Sequence, residues 1–212
     1  MKRRSHYWYV LILPAYLILF AIAEKIVVTD YWVSYLPLDD RIPFCEWFIF
    51  PYVSWYAFMV VPGLIMLFKD PEGFKRYMTF IGIGFCSTVA FCLIFPNGQD
   101  LRPNPLPRDN FATWLVARIY AADTNTNVLP SVHVIGSYAV AYTAWKRLPE
   151  KWRWLRVPTI AMAVLISVST VFVKQHSVLD ILAAVPWSIA TGWISWRIHD
   201  SALTRRTKKC II

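Results

Sequence analysis

Apolar runs of near membrane-crossing length alternate along this chain with short polar segments, most of them basic. Runs at about 7–28, 49–68, 77–95, 131–147, 157–173 and 176–196 approach the ~20 residues that a helix needs to cross a bilayer. Six membrane helices are therefore expected. Pro62-Gly63 predicts a kink in the second. Gly82 and Gly84 predict close helix approach in the third. Between the third and fourth runs, 96–130 is too proline-rich at its start for regular helix. Its later part, 109–122, reads as a short amphipathic helix lying at the interface. The segment 29–47 carries Asp30, Asp39, Asp40, Arg41 and Glu46 and reads as an acidic exposed loop.

Composition strengthens the membrane reading. The chain is 57% hydrophobic, above the roughly 45–50% of soluble domains. An all-α fold follows, one membrane domain over 1–212 with no separate soluble unit expected. The net charge of +9 does not point to nucleic acid, because the basic residues sit in clusters between apolar runs, a pattern of membrane topology. Lys2-Arg3-Arg4, the 69–76 turn, the 146–156 turn and the tail from Arg197 fall on one side, which is then cytoplasmic with both termini. The first run is too long for a signal peptide and lacks a small-residue cleavage site, so it reads as an uncleaved helix. Cys45, Cys86, Cys92 and Cys210 show no metal spacing and no disulfide framework. Cys210-Ile211-Ile212 is one residue short of a prenylation box. Glu24, Lys25, His6 and His199 read as boundary residues.

Candidate chemistry collects on the outer side, at three places. One is Arg102-Pro103 in the proline-rich loop. Another is Asn127-Val128-Leu129-Pro130-Ser131-Val132-His133, where Ser131 is placed to cap a helix whose first amides and dipole favour an anion. The last is Lys174, His176 and Asp180. On a helix, His176 and Asp180 would share a face, so the carboxylate could fix the imidazole tautomer and free its other nitrogen. The bland alternative for each is a helix-end residue reaching for water.

These residues together resemble the type 2 phosphatidic acid phosphatase superfamily of membrane lipid phosphatases. Arg102-Pro103 is similar to the end of its first signature, Pro130-Ser131-Val132-His133 to its Pro-Ser-Gly-His, and His176 with Asp180 to the end of its third. Two family cations are absent: Phe95 stands where the first lysine would be, and Thr170 where the third signature's arginine would be. Lys174, Arg108 or Arg118 are the expected replacements. This departure, with the Asn-x-x-Pro-Ser-x-His form that begins at Asn127, resembles the inositolphosphorylceramide and sphingomyelin synthase branch.

The resemblance implies His176 as nucleophile, Asp180 as its orienting carboxylate and His133 as general acid. It implies that Arg102, Ser131, Lys174 and Asn127 hold the phosphate, with no metal and no other cofactor. The implied substrate is an outer-leaflet lipid phosphate or pyrophosphate in the plasma membrane. A headgroup transferase shares the first half-reaction. A non-catalytic lipid-binding protein would keep the same fold, and a vanadium haloperoxidase, more remotely, would share the same constellation.

Overall fold

The computed structural model describes residues 5–27 and 29–209, with side chains as far as Ser201. The Lys2-Arg3-Arg4 cluster and the Cys210-Ile211-Ile212 tail lie outside those residues. Eight α-helices are present among them: α1 (Ile12–Ile26), α2 (Leu38–Arg41), α3 (Ile49–Lys69), α4 (Pro71–Ile94), α5 (Phe111–Ala122), α6 (Val132–Arg147), α7 (Arg156–Phe172) and α8 (Val178–Lys209). Two residue pairs, β1 (Trp32–Val33) and β2 (Asn97–Gly98), form a minimal parallel ladder.

Five helical stretches are long and apolar enough to cross a membrane: Ser5–Ile26, Glu46–Lys69, Pro71–Ile94, Glu150–Phe172 and Val178–Ser201. The sequence predicts six. The sixth, α6, has 16 residues, about 24 Å at 1.5 Å per residue, against a hydrocarbon core of ~30 Å. Pro130 precedes it and Pro149 follows it, which limits its extension at both ends. It packs against α3, α4, α7 and α8.

The core is built around α4, which packs against α1, α3, α6 and α8. Phe80, Ile81 and Phe85 of α4 are buried with Ile135, Ala139 and Val140 of α6. Gly84 makes that approach possible, because a Cβ there would stand 2.8 Å from Ile135 Cγ2. The third helix begins earlier than expected, at Pro71, because Asp70 caps it by accepting from Gly73 N at 3.0 Å. Arg147, at the end of α6, holds the same carboxylate through two hydrogen bonds. His199 is buried, with its Nε2 2.9 Å from Thr79 Oγ1, rather than solvated at a boundary.

The largest departure concerns 29–47. Ser34, Asp39 and Glu46 are buried, so the segment is a folded cap over the α7–α8 turn and the start of α8. Asp39 and Glu46 are buried because each meets donors from distant elements, whereas Asp30 and Asp40 stay exposed. Glu46 pairs with Arg108 through two 2.6 Å hydrogen bonds. The ladder holds the cap to β2, and Gly98 is required there, since a Cβ would lie 2.9 Å from the Asn125 carbonyl oxygen.

Candidate active site

His176 lies in the turn between α7 and α8 rather than on the helix itself. The Thr170 carbonyl accepts from both Gln175 N (2.9 Å) and His176 N (3.2 Å), turning the chain back on the end of α7. Lys174 adopts a positive φ of 53° in that turn. Its carbonyl accepts from Gln99 Nε2 at 3.0 Å. Its ammonium donates to the carbonyl oxygens of Asp39 (2.8 Å) and Ile42 (2.6 Å), so it ties the cap to the turn.

Asp180, in the first turn of α8, is fully buried. Its Oδ2 lies 3.0 Å from His176 Nδ1 and accepts from Ser177 N at 3.0 Å. Its Oδ1 accepts from Ser34 Oγ at 2.5 Å. Asp39 caps α8 from outside the helix, accepting from Val178 N (2.8 Å) and Ser177 Oγ (2.6 Å). Every oxygen of the orienting carboxylate is thus held by a donor that the fold positions.

With Nδ1 directed to Asp180, His176 Nε2 faces His133 Nδ1 at 3.3 Å. His133 enters from the first turn of α6, packed between Tyr52 (ring centroids 4.7 Å apart) and Trp55 (4.6 Å). Both imidazoles are nearly fully buried. The Ser131 N donates to the Asp180 carbonyl at 3.2 Å, tying the start of α6 to that of α8.

Arg102 reaches the same place from the proline-rich loop. Its guanidinium donates to the carbonyls of Tyr120 (3.3 Å), Asp123 (3.0 Å) and Thr124 (2.6 Å), and to Gln175 Oε1 (2.5 Å). The C-terminal carbonyls of α5 favour a cation there, and the charge stacks over the Tyr120 ring at 4.6 Å. Burial pulls the Arg102 pKa below its ordinary value, opposed by Asp123. Asp123 is pushed up to about 6 by burial and by the like charge of Glu24, against the pull of His176 and Arg102. Burial also lowers the Lys174 pKa, opposed by Asp39 and Asp40.

The structure therefore brings Arg102, Ser131, His133, His176 and Asp180 together. Ser131 occupies the N-cap position of α6 but makes no capping bond, and its buried Oγ has no partner among the described residues. Asn127, at φ 57°, donates through Nδ2 to Glu24 Oε1 at 2.7 Å, while its Oδ1 is also unpartnered among them. Glu24 is thus bonded to Asn127 and Thr124 rather than a free boundary residue. Of the three expected replacement cations, Lys174 is held by the Asp39 and Ile42 carbonyls, Arg108 is bound to Glu46, and the exposed Arg118 lies over the Trp114 ring. Gln175, Ser34, Asp39 and Asp123 are site neighbours that the sequence pattern did not single out. Gln175 alone carried a signal, its place between Lys174 and His176.

Comparison with known proteins adds three findings. A family model described as the PAP2 superfamily matches residues 81–203, which include every residue of the imidazole–carboxylate line and Arg102. A PA-phosphatase related-family protein of Dictyostelium discoideum is 35% identical over 163 residues, covering 65% of this chain and 29% of that relative. The chain thus spans under a third of that relative's length. No solved structure matches.

Proposed function

The chain belongs to the PAP2 superfamily, and from that premise we propose that it is a membrane lipid phosphatase working through a phosphohistidine. The observation that carries this reading is the line Asp180–His176–His133, with Nδ1 of His176 on the carboxylate and Nε2 3.3 Å from the second imidazole. The carboxylate holds the proton on Nδ1, so the Nε2 lone pair is the nucleophile.

In the first step Nε2 attacks phosphorus and the bond to the lipid oxygen breaks. His133 delivers its proton to that leaving oxygen. Arg102 and the Ser131 hydroxyl meet the charge that gathers on the non-bridging oxygens. In the second step His133 takes a proton from water, the hydroxyl oxygen attacks phosphorus, and the P–N bond breaks to give phosphate and free His176. The chain's own groups supply nucleophile, acid and charge, so the reaction is proposed to be metal-independent.

The substrate is a phosphomonoester or pyrophosphate of a lipid, met at the headgroup plane. In this reading α6 is the sixth crossing, both termini are cytoplasmic, and the site faces outward in the plasma membrane. The basic turns at 69–76 and 146–156 support that orientation. Phosphate release from a panel of lipid phosphates by the purified protein tests it, with His176→Ala as the control expected to be inactive.

One observation favours a second reading, a headgroup transferase using an alcohol in place of water. The site holds one guanidinium, since Phe95 and Thr170 occupy the positions of two family cations and the Lys174 ammonium is bound by two carbonyls. A single positive charge suits the singly charged phosphorus of a phosphodiester. Transfer to an added lipid alcohol without phosphate release would select this reading.

A further inference from the structure

Gln175 is 3% exposed and sits directly before the proposed nucleophile. Its Oε1 accepts from Arg102 Nη2 at 2.5 Å. That bond fixes which end of the carboxamide faces the guanidinium, so the amide's two N–H donors face away from it. Nε2 is buried and has no hydrogen-bond partner among the described residues. The Tyr52 hydroxyl lies close to it, outside hydrogen-bond geometry. Leaving a buried amide donor unpaired is costly, and such groups in folded proteins are few and call for a reason.

The neighbours supply one. Arg102 Nε and Ser131 Oγ are likewise buried without a partner among the described residues. These groups come from three separate parts of the chain, the proline-rich loop, the start of α6 and the α7–α8 turn, and the fold links each to the imidazole–carboxylate line: Arg102 is bound to Gln175, Gln175 precedes His176, and Ser131 N is bound to the Asp180 carbonyl. Donors left unmatched on linked segments suit an anion with several acceptor oxygens. Two positions where the family signatures carry cations hold Phe95, whose ring packs on Trp32, and Thr170, whose hydroxyl donates to the Ser167 carbonyl. Neither offers a donor to the site. A carboxamide replaces the lost hydrogen bond without adding charge.

We propose that Gln175 is a phosphate-binding residue, donating through Nε2 to a non-bridging oxygen of the lipid phosphate while its Oε1 aligns Arg102. This rests on the phosphohistidine reading above, and it assigns to Gln175 a contact that the signatures do not contain. The donor is needed once charge gathers on that oxygen, so Gln175 contributes more to kcat than to lipid affinity.

The discriminating variant is Gln175→Glu. It keeps the shape and strengthens the acceptor for Arg102, but it replaces the donor with an anionic oxygen. The experiment measures orthovanadate affinity by calorimetry on the purified full chain, beside turnover of the best lipid phosphate from the panel. Gln175→Ala is expected to weaken orthovanadate binding and lower kcat by about 10- to 100-fold, the scale of one hydrogen bond to a charged group. Gln175→Glu is expected to lose at least as much, with an unchanged melting temperature in either variant. Orthovanadate binding within twofold of wild type in Gln175→Glu would show that Gln175 serves Arg102 alone and overturn the proposal. So would a wild-type protein that binds no orthovanadate. Failure of the underlying reading is seen separately, as turnover retained by His176→Ala.

Discussion

Two halves of the candidate site differ in how their polar atoms are matched. Along the Asp180–His176–His133 line, each carboxylate oxygen and each His176 nitrogen has a partner, supplied by Ser34, Ser177 and the facing groups. Around the Arg102–Gln175–Ser131 cradle, where Gln175 and Ser131 are buried and Arg102 is half-buried, buried donor atoms stay unpaired among the described residues. The first half is matched within the protein, as the proposed nucleophile with a fixed tautomer requires. In the proposed reading an oxyanion completes the second. Preorganisation toward a developing charge takes this form: the fold meets the cost of holding donors in place before reaction.

The comparison can be broken from either side. The largest effect is expected from His176→Ala, which removes the nucleophile and should abolish phosphate release while the protein stays folded, as read by turnover and melting temperature. Arg102→Ala comes next, with turnover lower by about 10²–10³-fold, the scale of losing a transition-state charge partner. Lys174→Ala is its counterpart and should behave differently. Its ammonium holds two cap carbonyls, so it should lower stability, by roughly 1.5–3 kcal/mol, more than it lowers binding of orthovanadate. Equal loss of orthovanadate affinity in both variants would erase the distinction between them.

Ser34→Ala should have a smaller effect, about tenfold in kcat, because Asp180 retains His176 and Ser177 N but loses its 2.5 Å bond. Asp123→Asn should be the mildest. The Asp123 carboxyl is held near 6, above its ordinary value of 3.8, so the folded state binds that proton more tightly than the unfolded one. Its contribution to stability is then fully present below about 4 and lost as pH rises through about 6. Thermal unfolding across that window should show the loss in wild type and a flatter profile in the variant, with a gain of a few degrees at neutral pH.

Much of the membrane architecture was legible because hydrophobic run length is a one-dimensional signal. Five stretches came through at membrane-crossing length, while α6 was recognisable in position but shorter than a full crossing. The three chemical places were legible because their residue types and spacings are local. What was hidden is tertiary. Nothing in Asp39-Asp40-Arg41 announces that Asp39 will cap a helix some 140 positions later, so a string of acids read as a solvated loop. The same limit misassigned Lys174: proximity in sequence to His176 suggested a phosphate ligand, whereas its stem carries the charge to the carbonyls of Asp39 and Ile42. Gln175 was passed over because a carboxamide has no charge to attract notice, although its neighbours give it a role.

The central claim is that His176 takes the phosphoryl group. Rapid quench of the purified protein during turnover of a labelled lipid phosphate, followed by peptide mapping under alkaline conditions, tests it directly. The account predicts an acid-labile phosphoryl group on the peptide that contains His176, absent from His176→Ala. Full turnover with no label on that peptide, or label carried by His133 instead, would contradict it.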